Sequence, residues 1–375
     1  MRGNEVVDRS SAVPLALAWS ALIVYASLFP FGNWRWPPGQ AGWALLHLPW
    51  PRYFISFDIS SNLLGYAPLG LLVGVARLRH GAPMSQALLG AIAAGAGLSY
   101  AMEMTQHLLP QRVPSGLDWV LNTVGAGLGA LLALSLHWLG LLSRWQVWRE
   151  RWLERGHGGA LALLVLWPVA LLFPTPVPLG LGQVGEVLRS TLAQELAGVP
   201  WVEPMSAWLD ARAVSPPVMS PLAEALAVGF GLLSPCFLAY AASPPGGRRI
   251  GLALGLGGAA VAASTLSTLL NFGPDHALAW CTRSTATAMA LALALALAGL
   301  WLKPRLAGAL ALVSLTGLVM LVHQAPTDPY FAQSLLGWEQ GRFVRFHGLA
   351  QWVGWLWPYA LLVYLVRRLS SPGLS

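Results

Sequence analysis

Long apolar stretches alternate with short polar connections along all 375 residues of the chain. A transmembrane helix needs about 20 mostly apolar residues, and ten segments come close to that requirement. They lie at residues 12–30, 59–77, 85–107, 118–142, 159–173, 220–242, 250–272, 284–302, 305–323 and 348–366. The pattern therefore predicts an all-α fold, a polytopic membrane helical bundle with about ten transmembrane helices.

The composition excludes the soluble classes of protein. Hydrophobic residues make up 56% of the chain and charged residues 10%, whereas a soluble domain carries roughly a quarter charged residues. Disorder is excluded by the same apolar content. The two cysteines, Cys236 and Cys281, are too few for a disulfide framework and fit no zinc-binding pattern.

The basic residues predict an orientation rather than a nucleic-acid partner. The net charge is +7, but 21 of the 22 basic residues are arginines scattered between apolar runs. Placing the N-terminus inside puts 14 of the 22 on the cytoplasmic side and 8 on the other, as the positive-inside rule requires. We therefore expect the protein to lie in the cell (inner) membrane with both termini in the cytoplasm. We expect it to bind no nucleic acid.

A basic, tryptophan-rich connection divides the chain. Residues 144–157 read RWQVWRERWLERGH, a composition typical of a helix lying on an anionic membrane surface. The predicted domains are a four-helix transmembrane domain at 1–142, a linker at 143–158 and a six-helix transmembrane region at 159–375. A surface helix is also predicted in the outer connection at 174–219.

Charged and amide residues cluster at the ends of the second, third and fourth spans. Such residues cost several kcal/mol inside a membrane unless they are paired, so they mark candidate sites. They occur as pairs three or four residues apart, and each pair projects from one helix face. The second and fourth spans run inward and the third runs outward, so all three pairs lie at the external end. The predicted ligand-binding residues are Asp58, Asn62, Glu103, Gln106, Arg112, Asp118 and Asn122.

Arg112 lies in the connection between the third and fourth spans and is the cation best placed to pair with these carboxylates. Each asparagine lies about 6 Å below the aspartate of its pair, at 1.5 Å per residue. Asp58, Asn62 and Gly65 also recur 60 residues later as Asp118, Asn122 and Gly125. This offset predicts two related hairpins whose glycines permit close helix approach.

Helix capping is the structural alternative for part of this set. Asp58 and Asp118 begin inward-running helices, where a carboxylate satisfies free N–H groups and meets the positive end of the helix dipole. Ser115 stands three residues before Asp118, as in a capping box. Capping does not account for Glu103 at the end of the third span, nor for the two deeper asparagines.

The ordered motif of these residues resembles the VanZ-like family of membrane proteins. It reads Asp58-xxx-Asn62-LLGYA-Pro68-L-Gly70, then Glu103-xx-Gln106-xx-Leu109-Pro110-x-Arg112-x-Pro114-Ser115-xx-Asp118-xxx-Asn122-xx-Gly125. The resemblance covers roughly residues 12–140, and Tyr66 stands where the family usually has Phe before the proline. It implies a bacterial cell-envelope membrane protein. The founding members are linked to low-level resistance to the glycopeptide teicoplanin, a role not carried over to this longer chain.

Three functions are consistent with the sequence. The first is binding or handling of a lipid or lipid-linked envelope intermediate at an outward-facing polar pocket, with membrane lipids as partners. The second is an intramembrane enzyme that uses carboxylates or a metal ion, and the third is a structural membrane scaffold. Nothing in the sequence indicates a bound organic cofactor, and no residue is assigned as a metal ligand. Three ionised carboxylates repel a phosphate unless a divalent cation or protonation intervenes.

Overall fold

The computed structural model describes residues 10–29, 31–32, 34–37, 39, 42–53, 56–154, 156–185, 189, 192, 219–272, 274–325 and 344–370. These residues form eleven α-helices. The helices are α1 (Ala12–Leu28), α2 (Ser56–Arg79), α3 (Met84–Gln106), α4 (Gly116–Trp138), α5 (Leu141–Trp152), α6 (Gly158–Ala170), α7 (Pro221–Ala241), α8 (Arg248–Phe272), α9 (Arg283–Ala298), α10 (Pro304–Val322) and α11 (Val344–Leu369). Each of the ten predicted spans coincides with one helix, and α5 occupies the basic connection. Most of the surface helix predicted within 174–219 lies outside the described residues.

Within the described part of the chain, six helices are long and apolar enough to cross a membrane, namely α2, α3, α4, α7, α8 and α10. Three shorter apolar helices, α1, α6 and α9, have 10–17 residues. The all-helical membrane fold is therefore confirmed, whereas the count of ten crossings stays a prediction.

The chain divides into two compact units. Unit 1 comprises residues 1–151 and 155–162, and unit 2 comprises residues 152–154 and 163–375. The predicted boundaries at 142 and 159 stay predictions. Each unit is described by itself below.

Helices α2 and α4 form the most extensive helix pair of unit 1. A Cβ atom placed on Gly70, Gly125 or Gly129 would collide with a main-chain carbonyl oxygen of the opposite helix. Those oxygens belong to Ala126, Leu63 and Ala67 respectively. The residue offsets across the contact stay near 60, so the two helices run parallel with the repeated motifs side by side. The predicted close approach is confirmed at Gly125.

Gly65, the counterpart of Gly125 in the repeat, has another role. A Cβ atom there would meet nothing within 4 Å. Its carbonyl oxygen instead accepts a hydrogen bond from Trp19 Nε1 at 2.8 Å, which joins α1 to α2.

Helix α7 is the most buried candidate span of unit 2, because 61% of its apolar 18-residue segment is buried within the protein. It packs against α8, α9 and α10. Its C-terminal end is held by Arg249, a residue with 0% exposure. The guanidinium donates to the carbonyl oxygens of Tyr240 and Ser243 and to those of Leu300 and Leu302, at 2.6–3.1 Å. Arg249 belongs to the 14 basic residues assigned to the cytoplasmic side, and the structure adds that it ties three helix ends together.

Candidate functional site

Five of the predicted site residues lie together in unit 1, where α2 and α4 begin and α3 ends. We call them the polar cluster: Asp58, Asn62, Glu103, Asp118 and Asn122. Glu103 and Asn122 are each 4% exposed. Asn62 and Asp118 are half-buried, and Asp58 is exposed. The cluster therefore grades from a solvent-accessible carboxylate to deeply buried polar groups.

Glu103 is positioned by the helix that follows it. Its Oε2 atom accepts a hydrogen bond from the backbone N–H of Ser115 at 2.8 Å. Ser115 is the N-cap of α4, so the carboxylate faces the positive end of that helix dipole. The expectation that capping leaves Glu103 unexplained is therefore wrong, because Glu103 caps α4 rather than its own helix.

Asp118 occupies the centre of the cluster. Its backbone N–H donates to Ser115 Oγ at 3.2 Å, which confirms the serine cap predicted for α4. The Asp118 carboxylate is close enough to interact with the side chain of Asn62 and with the charges of Asp58 and Glu103. The parallel packing of α2 and α4 thus brings the two repeated motifs together.

Asn122 leads to two polar residues that the sequence analysis missed. Asn122 Nδ2 donates to Ser99 Oγ at 3.0 Å, and Ser99 is 0% exposed. The side chain of Tyr66 faces Ser99 and is close to Glu103. Asn122 Oδ1 is buried and has no hydrogen-bond partner among the described residues.

Helical spacing was the signal that could have identified these two residues. Ser99 precedes Glu103 by four positions, and Tyr66 follows Asn62 by four, so each shares a helix face with a predicted site residue. Tyr66 therefore places a hydroxyl group beside the cluster.

Gln106 and Arg112 have different partners from the cluster. Gln106 Nε2 donates to the carbonyl oxygen of Ser27 at 3.1 Å. Arg112 Nη2 donates to the carbonyl oxygens of Ala26 and Phe29 at 3.2 and 2.7 Å. These carbonyls belong to the C-terminal end of α1, where a cation is favourable. Both side chains therefore secure α1 to the end of the bundle that holds the cluster.

The first connection of unit 1 lies over this same end. The Tyr100 hydroxyl donates to the carbonyl oxygen of Leu46 at 2.8 Å, and the N–H of Gly116 donates to that of Pro49 at 2.9 Å. Four tryptophans of the connection are exposed: Trp34, Trp36, Trp43 and Trp50. Exposed tryptophans are typical of the level where lipid head groups meet water.

The chemistry of the cluster is dominated by hydrogen-bond acceptors. It holds three carboxylates, and Asn122 adds an amide oxygen without a partner among the described residues. Within the described residues, no three His, Cys, Asp or Glu side chains are grouped so as to hold a metal ion. The arrangement suits a ligand that donates hydrogen bonds or carries positive charge.

The fold and the site define a multi-pass helical membrane protein with a polar cluster at one end of its first unit. Residues 10–139 match the family model described as VanZ/LLP1, so this segment of the chain is VanZ-like. The match covers α1 to α4 and every residue of the cluster, close to the range of 12–140 expected from the motif. No curated protein and no solved structure matches the chain.

Proposed function

We propose that unit 1 binds the head group of a lipid or a lipid-linked envelope intermediate at the polar cluster. The observation that carries the proposal is the buried Asn122 Oδ1 atom, which has no hydrogen-bond partner among the described residues. A buried polar atom without a hydrogen bond costs about 1–3 kcal/mol. A ligand that supplies the missing bonds recovers that cost, so the cluster favours occupancy by a polar group.

The decrease in solvent exposure from Asp58 to Asn122 supports entry of the ligand from the level of the lipid head groups. Asp58 is exposed, Asp118 is half-buried and Asn122 is 4% exposed. A head group would therefore contact the carboxylates first and the deeper amide afterwards. The exposed tryptophans of the first connection would lie at the membrane interface, while the acyl chains of the bound lipid stay in the membrane.

The charge of the cluster restricts the head group. Three carboxylates converge, whereas Arg112 Nη2 is saturated by the Ala26 and Phe29 carbonyls. The Nη2 group of Arg112 therefore has no N–H left to donate to a phosphate. The favoured head groups are those that present hydroxyl or ammonium donors.

A thermal-stability panel tests this proposal. The purified chain is heated with one lipid class at a time, comparing wild type with Glu103→Gln and Asp118→Asn. Binding raises the unfolding midpoint as the logarithm of the ligand concentration relative to the dissociation constant, so at least one lipid class should stabilise wild type and neither variant. The control is Glu150→Gln, a carboxylate of α5 that accepts a hydrogen bond from Gln146 Nε2 at 3.2 Å. Equal stabilisation of all four proteins by every lipid would refute the proposal.

A structural scaffold is the second candidate function, and a specific contact favours it. The bond from the Ser115 N–H to Glu103 Oε2 joins the end of α3 to the start of α4 without requiring a ligand. Under this alternative, Asp118→Asn and Glu103→Gln keep both the fold and the cellular activity. Normal membrane abundance combined with loss of the cellular phenotype in both variants excludes the scaffold.

A further inference from the structure

A second polar site lies entirely within unit 2. It is a cavity of about 240 Å³ enclosed by the segment that follows α6, the start of α7, the last turns of α8 and the start of α9. α7 and α9 begin at this end and α8 ends here, so the cavity opens at the end that the predicted orientation places outside. None of its lining residues belongs to the polar cluster, and the inference does not rest on the function proposed for unit 1.

The cavity carries a negative charge. Glu224, in the first turn of α7, is the acidic residue that lines it, and the described lining contains no Arg, Lys or His. An anionic ligand is thereby repelled, and a single positive charge is favoured.

Three of the five hydroxyl groups of the lining already donate their proton within the protein. Thr175 Oγ1 donates to the carbonyl oxygen of Val177 at 2.6 Å, Ser267 Oγ to that of Leu172 at 2.8 Å, and Thr268 Oγ1 to that of Ser264 at 2.9 Å. A hydroxyl has one proton and two lone pairs, so each of these oxygens can only accept a further bond. Together with Glu224 these three hydroxyls offer hydrogen-bond acceptors to a ligand.

An ammonium group has the hydrogen-bond donors and the charge that complement these acceptors. It carries one positive charge and three N–H donors with no acceptor. Trp280, another lining residue, adds an aromatic ring, which attracts cations over its face. Its orientation is fixed because Nε1 donates to Thr265 Oγ1 at 3.2 Å.

Size argues against a bare metal ion. The volume of about 240 Å³ equals roughly eight waters, at about 30 Å³ of liquid for each. A desolvated monovalent ion fills a small part of that space, whereas a small organic amine occupies several water positions.

We propose that this cavity binds a primary ammonium group, carried by a lipid head group or by a free organic amine, with Glu224 as its counter-ion. The ammonium donates to the Glu224 carboxylate and to hydroxyl oxygens of the lining, Ser264 among them, while the carbon attached to it contacts Trp280. A quaternary ammonium keeps the charge but has no N–H to donate, so it binds more weakly.

Native mass spectrometry of the full chain with matched lipids tests the proposal. Phosphatidylethanolamine, phosphatidylcholine and phosphatidylglycerol with the same acyl chains are offered to wild type, Glu224→Gln and the control Glu150→Gln. We expect phosphatidylethanolamine to be retained about tenfold better than the other two by wild type and by the control. Glu224→Gln should lose that preference.

Free ethanolamine identifies the source of the ammonium. Displacement of phosphatidylethanolamine by millimolar ethanolamine indicates a site that recognises the amine alone. Stabilisation by ethanolamine with no lipid preference also supports the site and assigns it to free amines. Ser264→Ala removes one lining hydroxyl and should weaken retention about threefold, which supplies a test should Glu224→Gln fail to fold. Equal retention of the three lipids with no effect of ethanolamine would overturn the proposal, as would unchanged binding in Glu224→Gln and Ser264→Ala.

Discussion

Glu103 Oε2 accepts the backbone N–H of Ser115, 12 residues later in the chain, at 2.8 Å. In an ordinary capping box this N–H would be taken by the third residue of the same helix, which is Asp118. Glu103 of α3 takes that role, and the Asp118 carboxylate lies near the side chains of Ser115, Asn62 and Asp58. One contact between two helices therefore caps α4 beside the central carboxylate of the polar cluster.

Glu103→Ala should destabilise unit 1 more than Glu103→Gln. Alanine leaves the buried Ser115 N–H without its acceptor, which costs about 1–3 kcal/mol. The amide oxygen of glutamine can still accept that bond, so its cost should be roughly 1 kcal/mol or less. Thermal unfolding of the two variants in the same detergent measures the difference. Equal midpoints would show that the bond does not contribute to stability.

Gly129→Ala should disrupt the pairing of α2 with α4. The added Cβ would collide with the carbonyl oxygen of Ala67, and overpacking of this kind costs about 1–3 kcal/mol. Gly97→Ala in α3 is the matched control, because a Cβ there meets nothing within 4 Å. The control should gain roughly 0.4–1 kcal/mol through lower unfolded-state entropy. Similar unfolding midpoints for the two variants would contradict the described helix contact.

Arg249→Lys should destabilise unit 2 although it keeps the charge. The guanidinium bonds to four carbonyl oxygens and to Ser243 Oγ, whereas an ammonium has three donors. The loss of two charge-assisted bonds costs roughly 3 kcal/mol. Arg248→Lys at the exposed neighbouring position also keeps the positive charge and should have little effect on stability. The yield of folded protein and the thermal midpoint distinguish the two substitutions.

Arg112→Ala should loosen the end of α1. It removes the donors to the carbonyl oxygens of Ala26 and Phe29, so hydrogen–deuterium exchange should accelerate at residues 25–29. Lipid binding at the cluster should change less than it does in Asp118→Asn. Loss of lipid binding with unchanged exchange in α1 would instead place Arg112 in the pocket.

The helices were predictable because membrane segments need long apolar runs, and each predicted run coincides with one helix. The face shared by Asp58, Asn62, Asp118 and Asn122 was also predictable, since helical spacing and the 60-residue offset place them together. The number of membrane crossings was harder to predict, because α1, α6 and α9 have only 10–17 residues.

The partners of individual polar groups could not be predicted from spacing alone. Glu103 and Arg112 both lie close in sequence to the connection between α3 and α4, which made them plausible partners of each other. In the structure Arg112 bonds to α1 carbonyls, whereas Glu103 bonds to Ser115. In the sequence, Arg249 resembled one of the basic residues that mark the cytoplasmic side of a membrane protein. In the structure, its guanidinium is buried among main-chain carbonyls. These choices depend on which helix ends meet in three dimensions.

Native mass spectrometry of the gently purified protein tests the central claim most directly. Wild type, Asp118→Asn and the control Glu150→Gln are purified in parallel, and the masses that stay bound are compared. Our account predicts a lipid or lipid-linked species on wild type and on Glu150→Gln that is absent from correctly folded Asp118→Asn. The same bound species at the same occupancy on all three proteins would contradict it.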